Sequence, residues 1–411
     1  MSKATPLTII IVGNGIAGPI LAMALKKVTP HNVILVDGGP EETLPLGAGL
    51  GIAPNGLHAL RFIEAEHLVV DKGGRLEYMA FRRGDSNETL AEQPIGDLFS
   101  EKYGFSSYGV VRSEYCRGLR ALAKERGVDM RFKLRLKSIT ETDKIVTAHF
   151  TNGEDLSADL LIGCDGIHSP TRAYVVGEDI KPDFANASVI VGLSKLTSQE
   201  EETLNLKKGF NMHLGSKASV GVLPLDQDGT WGWFAGFHTV DPAGGETAWG
   251  NDHSIEELTN LAQSKVEGWQ NLVPSKVISK TFRCFPIPLY DRQPIATWHR
   301  GRVVLCGDAA HPTTPAGGQG AQMAAESAII LARLLGENEP SDDLFKRYAS
   351  IRHPRTDWVT KNSRRTVNTL FVPTTNMWQA IRDIAISLLG GFVFRSGFLG
   401  QYGYDPGNVA L

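Results

Sequence analysis

The most constraining feature lies at the N-terminus, where a short β-branched apolar run, residues 7–12, feeds directly into Gly13-Asn14-Gly15-Ile16-Ala17-Gly18. An unbroken apolar run of that length predicts a strand buried on both faces. Residues 20–27 follow with Ile20, Leu21, Ala24 and Leu25 on one helical face, and Pro19 falls in the first turn, where its missing N–H costs little. Residues 33–36 read as a second strand ending at Asp37. A strand, a G-x-G-x-x-G turn and a helix together aim backbone N–H groups and the positive end of a helix dipole at a diphosphate. An acid closing the second strand is placed to accept from ribose hydroxyls. The unit predicts an α/β fold with a Rossmann-like dinucleotide-binding domain, without separating a nicotinamide from a flavin dinucleotide. The plainer alternative, a glycine-rich turn in some other α/β protein, would not need Asp37.

Two later strands end in aspartate loops. Residues 158–163 lead into Cys164-Asp165-Gly166-Ile167-His168-Ser169-Pro170-Thr171-Arg172. Residues 303–306 lead into Gly307-Asp308-Ala309-Ala310-His311-Pro312, then through Pro315, Gly317, Gly318 and Gln319 into a helix over 320–335 that Gly336 is expected to close. Ligands of open α/β sheets sit at the carboxyl ends of strands, which is where Asp308 falls. The following helix would stabilise negative charge at its start; a simple cap is the alternative role for Asp308. Residues 55–64 and 114–126 read as helices, 75–83 as a strand, and 145–150 as one arm of a hairpin turning at Asn152-Gly153. The stretch 175–285 is strand-rich, with aromatics at Phe210, Trp231, Trp233, Phe234 and Phe237.

With 411 residues the length predicts two to three domains. The formal charge of −3 leaves no global field to draw nucleic acid or anionic lipid. Cys116, Cys164, Cys284 and Cys306 are widely spaced with no C-x-x-C pair, which argues against a disulfide framework or structural zinc and fits a reducing compartment. The polar start, residues 1–6, leads into no secretory segment. The apolar stretch 384–394 is broken by Ser387, Gly390 and Gly391 and is too short to span a bilayer, which takes about 20 residues. It is read as a packed C-terminal helix rather than a membrane-surface one, because its flanks carry little basic charge. These features predict a soluble cytoplasmic protein, monomeric or weakly dimeric, with no transmembrane segment, no metal and no nucleic-acid partner.

The three motifs, in this order, resemble those of the class A flavoprotein monooxygenases, the family of p-hydroxybenzoate and salicylate hydroxylases. Gln401-Tyr402-Gly403-Tyr404-Asp405 resembles the end of salicylate-hydroxylase-like members, and residues 312–327 are similar to fungal secondary-metabolism members, terpenoid epoxidases among them. The resemblance implies non-covalent FAD, with NADPH or NADH as a transient electron donor that needs no second glycine fingerprint. Gly13, Gly15, Ile16, Ala17 and Gly18 would then cradle the diphosphate, and Asp37 would meet the adenosine ribose. Gly51 would lie beside the cofactor, and Arg112, in Val111-Arg112-Ser113-Glu114, would reach it from the next helix. Asp165 would serve FAD and nicotinamide, Asp308 the ribityl chain, and Pro315, Gly318, Gly320 and Ala321 the flavin. At the second strand end the chain has Asp37-Gly38 where the family more often has Glu-Arg, so one customary basic contact is missing.

The implied architecture is a discontinuous FAD-binding domain (1–70, 105–174, 286–365) interleaved with a strand-rich substrate domain (71–104, 175–285), with a helical tail (366–411). The implied reaction inserts one oxygen atom from O2 into an apolar or aromatic small molecule, by hydroxylation or epoxidation through a flavin C4a-hydroperoxide. Such chemistry is largely the cofactor's, so no side chain is assigned as catalytic. His168, His213, His238 and His311 are read as structural or solvent-facing, and Cys164 and Cys306 as small packing residues. Three alternatives stand beside this reading. The first is a flavin-dependent halogenase, for which Trp231-Gly232-Trp233 has the right start, but Phe234-Ala235-Gly236 replaces the required Ile-Pro. The others are a non-catalytic FAD-binding partner protein and a flavin reductase acting on isoprenoid double bonds.

Overall fold

In the computed structural model, residues 6–42, 47–240, 253–371, 376–393 and 399–411 are described; residues 1–5 of the polar start and Phe394 lie outside them. Thr8–Val12 occupies the inside of a six-stranded sheet, in the spatial order His299–Arg300, Val303–Leu305, Leu160–Gly163, Thr8–Val12, Asn32–Val36, Asp129–Arg131. Every neighbouring pair runs parallel except the short first one. Ile9, Ile10 and Ile11 are fully buried, as a central strand covered on both faces requires. The covering helices are α1 (Ala17–Val28), α2 (Pro54–Phe62), α3 (Arg112–Glu125), α4 (Gly320–Glu337) and α5 (Asp342–Leu370), followed by α6 (Asn376–Val393).

A seven-stranded sheet follows the order Thr281–Asp291, Asp183–Lys195, Thr230–His238, Ser219–Pro224, Gly209–Leu214, Tyr78–Arg83, Thr89–Pro94. Strand alternation gives it two faces of different character. One carries Trp231, Trp233, Phe237, Val220 and Val222 into a core with Ile255–Lys265 and Leu272–Ser279. The opposite face carries Phe210, Phe234 and Val191 toward α5 and α6.

Three readings change. The segment 75–83 is two strands, Gly74–Leu76 and Tyr78–Arg83, in different sheets. They separate at Glu77, whose carbonyl accepts from Ile95 and Gly96 and whose N–H bonds Lys208. Gly336 does not close α4, which runs to Glu337. A Cβ at Gly336 would approach Val28 of α1 to 3.0 Å, so the glycine serves close helix packing rather than termination. Finally, α6 is packed on one side only; Met377, Ile384 and Leu388 face solvent.

Candidate functional site

The glycine turn is shaped by backbone crowding. Gly13 holds φ +106°, and a Cβ there would come within 2.3 Å of the Cys164 carbonyl oxygen. A Cβ at Gly18 would come within 2.0 Å of the Gly13 carbonyl oxygen, which lets α1 start directly against the strand end. Gly15 differs: a Cβ there meets no protein atom within 4 Å. Between them Asn14 is buried, and its side-chain Nδ2 and Oδ1 have no protein partner. Its N–H donates to an oxygen of Asp37 at 2.8 Å, while the other Asp37 oxygen accepts from Gly39 N–H at 2.7 Å. Arg120 of α3 donates to the Asn14 carbonyl at 3.0 Å. Two buried polar atoms and an open Cβ direction at the N-terminus of α1 form a cradle suited to a dinucleotide diphosphate.

The two aspartate loops meet this turn. The Asp165 carboxylate accepts from the Ser169 hydroxyl at 2.5 Å and from the Thr171 hydroxyl at 2.7 Å, and it also accepts from the Thr171 N–H. Burial pushes its pKa up and those donors pull against it. Asp165 therefore sets the shape of its own loop. From that loop Arg172 donates to the carbonyls of Ala309 and Ala310 at 3.0 and 2.8 Å, fixing the second loop. Gly307, at φ +65°, lets this second loop turn against Ala17 and Ala324. Asp308 follows, exposed to water by area yet with protein packed closely around it. That surround pushes its carboxyl up to about 6, while the charge of Arg112, at the first turn of α3, pulls it down. Arg112 lies against Gly47, whose φ of +83° brings that backbone close to it.

The loop that opens α4 is held from both sides. The Ser363 hydroxyl of α5 donates to the Thr314 carbonyl at 2.7 Å, and it accepts from Gly317 N–H at 3.0 Å. Pro315 sits at the start of that turn and Gly318, at φ +61°, ends it. Gln322 Nε2 donates to the carbonyls of Gly51 and Gly318, drawing two expected contact residues together at 3.0 and 2.7 Å. Gly320 and Ala321 form the first turn of α4. The structure thus ties Asp37 to the turn of Gly13, Gly15 and Gly18 through Asn14, packs the Asp165 loop against Gly13 and the Asp308 loop against Ala17, and joins Gly51 to Gly318 through Gln322.

Behind the loop lies a network that motif reading did not single out. Glu326 of α4 is fully buried, and Arg355 pairs with both of its oxygens at 2.7 Å. Arg352 reaches the same carboxylate at 2.8 Å. Asn55 of α2 donates to Glu326 at 2.8 Å and to Gln319 at 2.9 Å, linking the ion cluster to the loop. His311 shares a 2.8 Å hydrogen bond with Ser327, and burial holds it neutral with a pKa pushed down to about 3. The only sequence signal for this network is a pair of arginines three apart on a long helix, which is too common to single out.

The inner face of the seven-stranded sheet looks toward the same loop. Val191, Phe234 and Leu370 pack with Ala316 of the loop and with Phe371. Phe210 and Phe234 stack at 6.3 Å, and Phe371 meets Phe234 edge-on at 6.2 Å. Gly221 and Gly236 give these rings room, since a Cβ at either would fall within 2.4 Å of a ring carbon. His213 points to the opposite face, bonded to Asn271 at 2.8 Å, with its pKa pushed down to about 3 by burial. His238 is exposed and bonded to the Asn186 carbonyl. Trp231 and Trp233 are also on the far face, their indole N–H groups held by Glu201 and Thr281. The Cys164 thiol lies beside that of Cys306, and this contact together with burial raises it well above the usual range, so both act as packing groups. Among the described residues no cluster of three or more metal-ligating side chains occurs.

Comparison with known proteins gives a consistent set. Residues 6–363 match the family described as FAD binding domain. A FAD-dependent urate hydroxylase of Mycolicibacterium vanbaalenii is 28% identical over 359 residues, covering 85% of each chain. A 6-hydroxynicotinate 3-monooxygenase of Pseudomonas fluorescens is 29% identical, covering 80% of this chain and 82% of its own. Klebsiella pneumoniae HpxO, solved with FAD and uric acid, superposes with a TM-score of 0.80 at 25% identity, covering 94% of this chain and 95% of that one. A salicylate hydroxylase substrate complex superposes with a TM-score of 0.74 at 21% identity, covering 98% and 99%.

Proposed function

The chain belongs to the FAD binding domain family and is an FAD-dependent monooxygenase; from that premise we propose that its substrate is a neutral apolar or aromatic small molecule. We further propose NADPH or NADH as electron donor and O2 as the oxygen source. The observation that carries the substrate reading is the inner sheet face opposite the α4 loop. Val191, Phe210 and Phe234 on that face, with Leu370 and Phe371 packed on them from the end of α5, offer rings and aliphatic groups.

The residues present fit FAD. Asn14 offers two buried, unpartnered polar atoms beside an open Cβ direction at Gly15, in the turn that starts α1. Gly13, Gly15, Ile16, Ala17 and Gly18 would hold the diphosphate, and Asp37 the adenosine ribose. Arg112, Asp165 and Asp308 would take the central part of the cofactor. Gly51, Pro315, Gly318, Gly320 and Ala321 would border its ring system. When bound, FAD supplies the redox chemistry that divides O2 between the substrate and water.

The protein's own part is placement and dryness. Ser363 and Gln322 fix the loop on one side of the reaction space, and the Phe210–Phe234–Phe371 wall closes the other. Apolar walls exclude water, which would otherwise divert reactive oxygen to peroxide. The amide groups that begin α4, with the dipole behind them, stabilise negative charge brought against them. Under this reading residues 1–70, 105–174 and 286–365 bind FAD, 71–104 and 175–285 bind substrate, and 366–411 form the tail. The four unpaired thiols support a reducing, cytoplasmic setting.

The test is a screen of holoenzyme with NADPH and NADH for substrate-stimulated, coupled turnover. Neutral phenols, indoles and prenylated aromatics should stimulate it and gain one oxygen atom by mass. If only carboxylated or otherwise anionic aromatics do so, the apolar-wall reading is wrong. Burial of Trp231 and Trp233 on the far sheet face leaves them no part in halogenation at this site.

A further inference from the structure

The buried ion cluster behind the α4 loop does not balance within itself. Arg352 and Arg355 of α5 both pair with the Glu326 carboxylate, two cations on one anion. The side chains of Glu326 and Arg352 are 0% exposed and that of Arg355 is 15% exposed. Unbalanced charge out of water is costly, so the second guanidinium needs further electron-rich partners.

Residues 401–409 supply them. Arg355 Nη2 donates to the Gln401 carbonyl at 2.8 Å. The Tyr404 ring lies under both cations, its centroid 4.3 Å from the Arg355 guanidinium and 5.3 Å from that of Arg352. A ring face attracts a cation most strongly where water is excluded. The Tyr404 hydroxyl is buried without a protein partner, so the ring and not the hydroxyl makes the contact. The same segment is fastened to the two helices that begin beside the loop. Arg333 of α4 donates to the carbonyls of Pro406 and Val409 at 2.7 and 2.9 Å, and Asp405 stands 3.7 Å from His58 of α2.

From Glu326 the contacts run on without a gap. Asn55, in the first turn of α2, donates from one nitrogen to Glu326 at 2.8 Å and to Gln319 at 2.9 Å. Its Oδ1 has no protein partner, so these two acceptors set the orientation of the amide. A shift of Glu326 therefore moves the donor that Gln319 receives, and Gln319 stands between Gly318 and Gly320.

We propose that Tyr404 is a positioning residue for the flavin: stacked on Arg355 and Arg352 it holds Glu326, and through Asn55 and Gln319 it sets how closely the start of α4 lies against the cofactor ring. The inference rests on the placement of the 315–321 loop beside that ring proposed above. The first amides of α4 carry the positive end of its dipole, and they favour the reduced cofactor, which holds more negative charge than the oxidised one. Loosening the loop therefore lowers both the affinity for FAD and the midpoint potential of the bound flavin.

The test compares full-length wild type with Tyr404→Leu, Tyr404→Phe, Asn55→Ala and the Asn55→Ala/Tyr404→Leu double variant. Three quantities are read: FAD affinity by fluorescence titration, the midpoint potential of bound flavin against indicator dyes, and apoprotein stability in urea. Tyr404→Leu should raise the FAD dissociation constant at least about 5-fold, the lower end of ordinary coupling between sites, and make the potential more negative. Tyr404→Phe keeps the ring and should match the wild type in both. Asn55→Ala should shift both readings in the same direction as Tyr404→Leu. In the double variant the effects should fall well short of multiplying, since both changes cut one chain of contacts. A Tyr404→Leu protein that is weaker in urea but unchanged in affinity and potential leaves the tyrosine a structural role alone and overturns the proposal. Effects that multiply in the double variant overturn it as well. Should Tyr404→Leu not fold, trifluorophenylalanine at the same position keeps the shape and weakens the ring face; it must give the same two shifts, or the proposal falls. If only Asn55→Ala moves the potential, the loop placement stands and the part of Tyr404 is refuted. If neither variant moves it, the loop does not border the ring, and the placement fails together with the proposal.

Discussion

The three glycines of the N-terminal turn should respond differently to one added methyl group. At Gly15 a Cβ touches no protein atom within 4 Å and no left-handed φ is needed. Gly15→Ala should therefore leave the apoprotein as stable as the wild type, or up to about 1 kcal/mol more stable, because alanine narrows the unfolded chain. The same methyl projects into the cradle beside Asn14, where diphosphate oxygens would take backbone N–H bonds. Loss of one charge-assisted bond, about 1.5–3 kcal/mol, lowers FAD affinity roughly 10- to 150-fold. Gly13→Ala adds left-handed strain at φ +106° to an overlap at 2.3 Å with the Cys164 carbonyl oxygen. Gly18→Ala has an overlap at 2.0 Å with the Gly13 carbonyl oxygen. Both should lose more than about 4 kcal/mol of stability, with or without cofactor. The assay pairs urea unfolding of apoprotein with fluorescence titration of FAD. A Gly15→Ala protein that binds FAD like the wild type would refute the placement of the diphosphate at this turn.

Asp308 gives a pH prediction. Its carboxyl is pushed up to about 6 from an ordinary value near 4, so between those values the native state keeps a proton that the unfolded state has lost. Apoprotein stability should fall as pH rises from about 4 to 6, and Asp308→Asn should flatten that slope; an unchanged slope in urea titrations would show that another group titrates. Glu326→Gln removes the carboxylate that pairs with both Arg352 and Arg355, and should cost about 3–5 kcal/mol in chemical denaturation. Gly221→Val would drive a side chain into the Phe234 ring, which a Cβ already approaches to 2.2 Å, so KM for the apolar substrate should rise with FAD content unchanged. Phe371→Ala should raise peroxide release per NADPH consumed, measured by peroxidase coupling, because one wall of the reaction space is opened to water.

What could be read from the sequence was whatever local backbone geometry dictates. Gly13, Gly15 and Gly18 are fixed by a turn of six residues, and the aspartate loops after 163 and 306 follow buried strands whose composition is unmistakable. What could not be read depends on partners far away in the chain. Asn55 meets Glu326 across 271 positions, and no spacing rule forecasts that meeting. Asn14 and Arg120 interact across 106 positions in the same way. Period-two alternation does split Trp231, Trp233 and Phe237 from Phe234, but which face meets the loop is decided by packing against α5. Gly336 shows the reverse hazard, since a helix-stop signal was a helix-crossing residue. In α6 the apolar spacing was visible, and the inward turn of Arg382 and Asp383 was not.

The pairing of Val303–Leu305 with Leu160–Gly163 also sets a timetable for birth on the ribosome. Some 140 residues separate those neighbours, and at synthesis rates of about 5–20 residues per second the earlier strand waits roughly 7–30 s for its partner. During that interval its outer edge, apolar and unpaired, is open to wrong partners. The loop carrying Asp308 emerges only after that wait, so under the proposed cofactor site FAD capture would be a late event in the life of the nascent chain. A cell short of FAD would then accumulate a species whose first domain is begun but not closed, a natural client for chaperones.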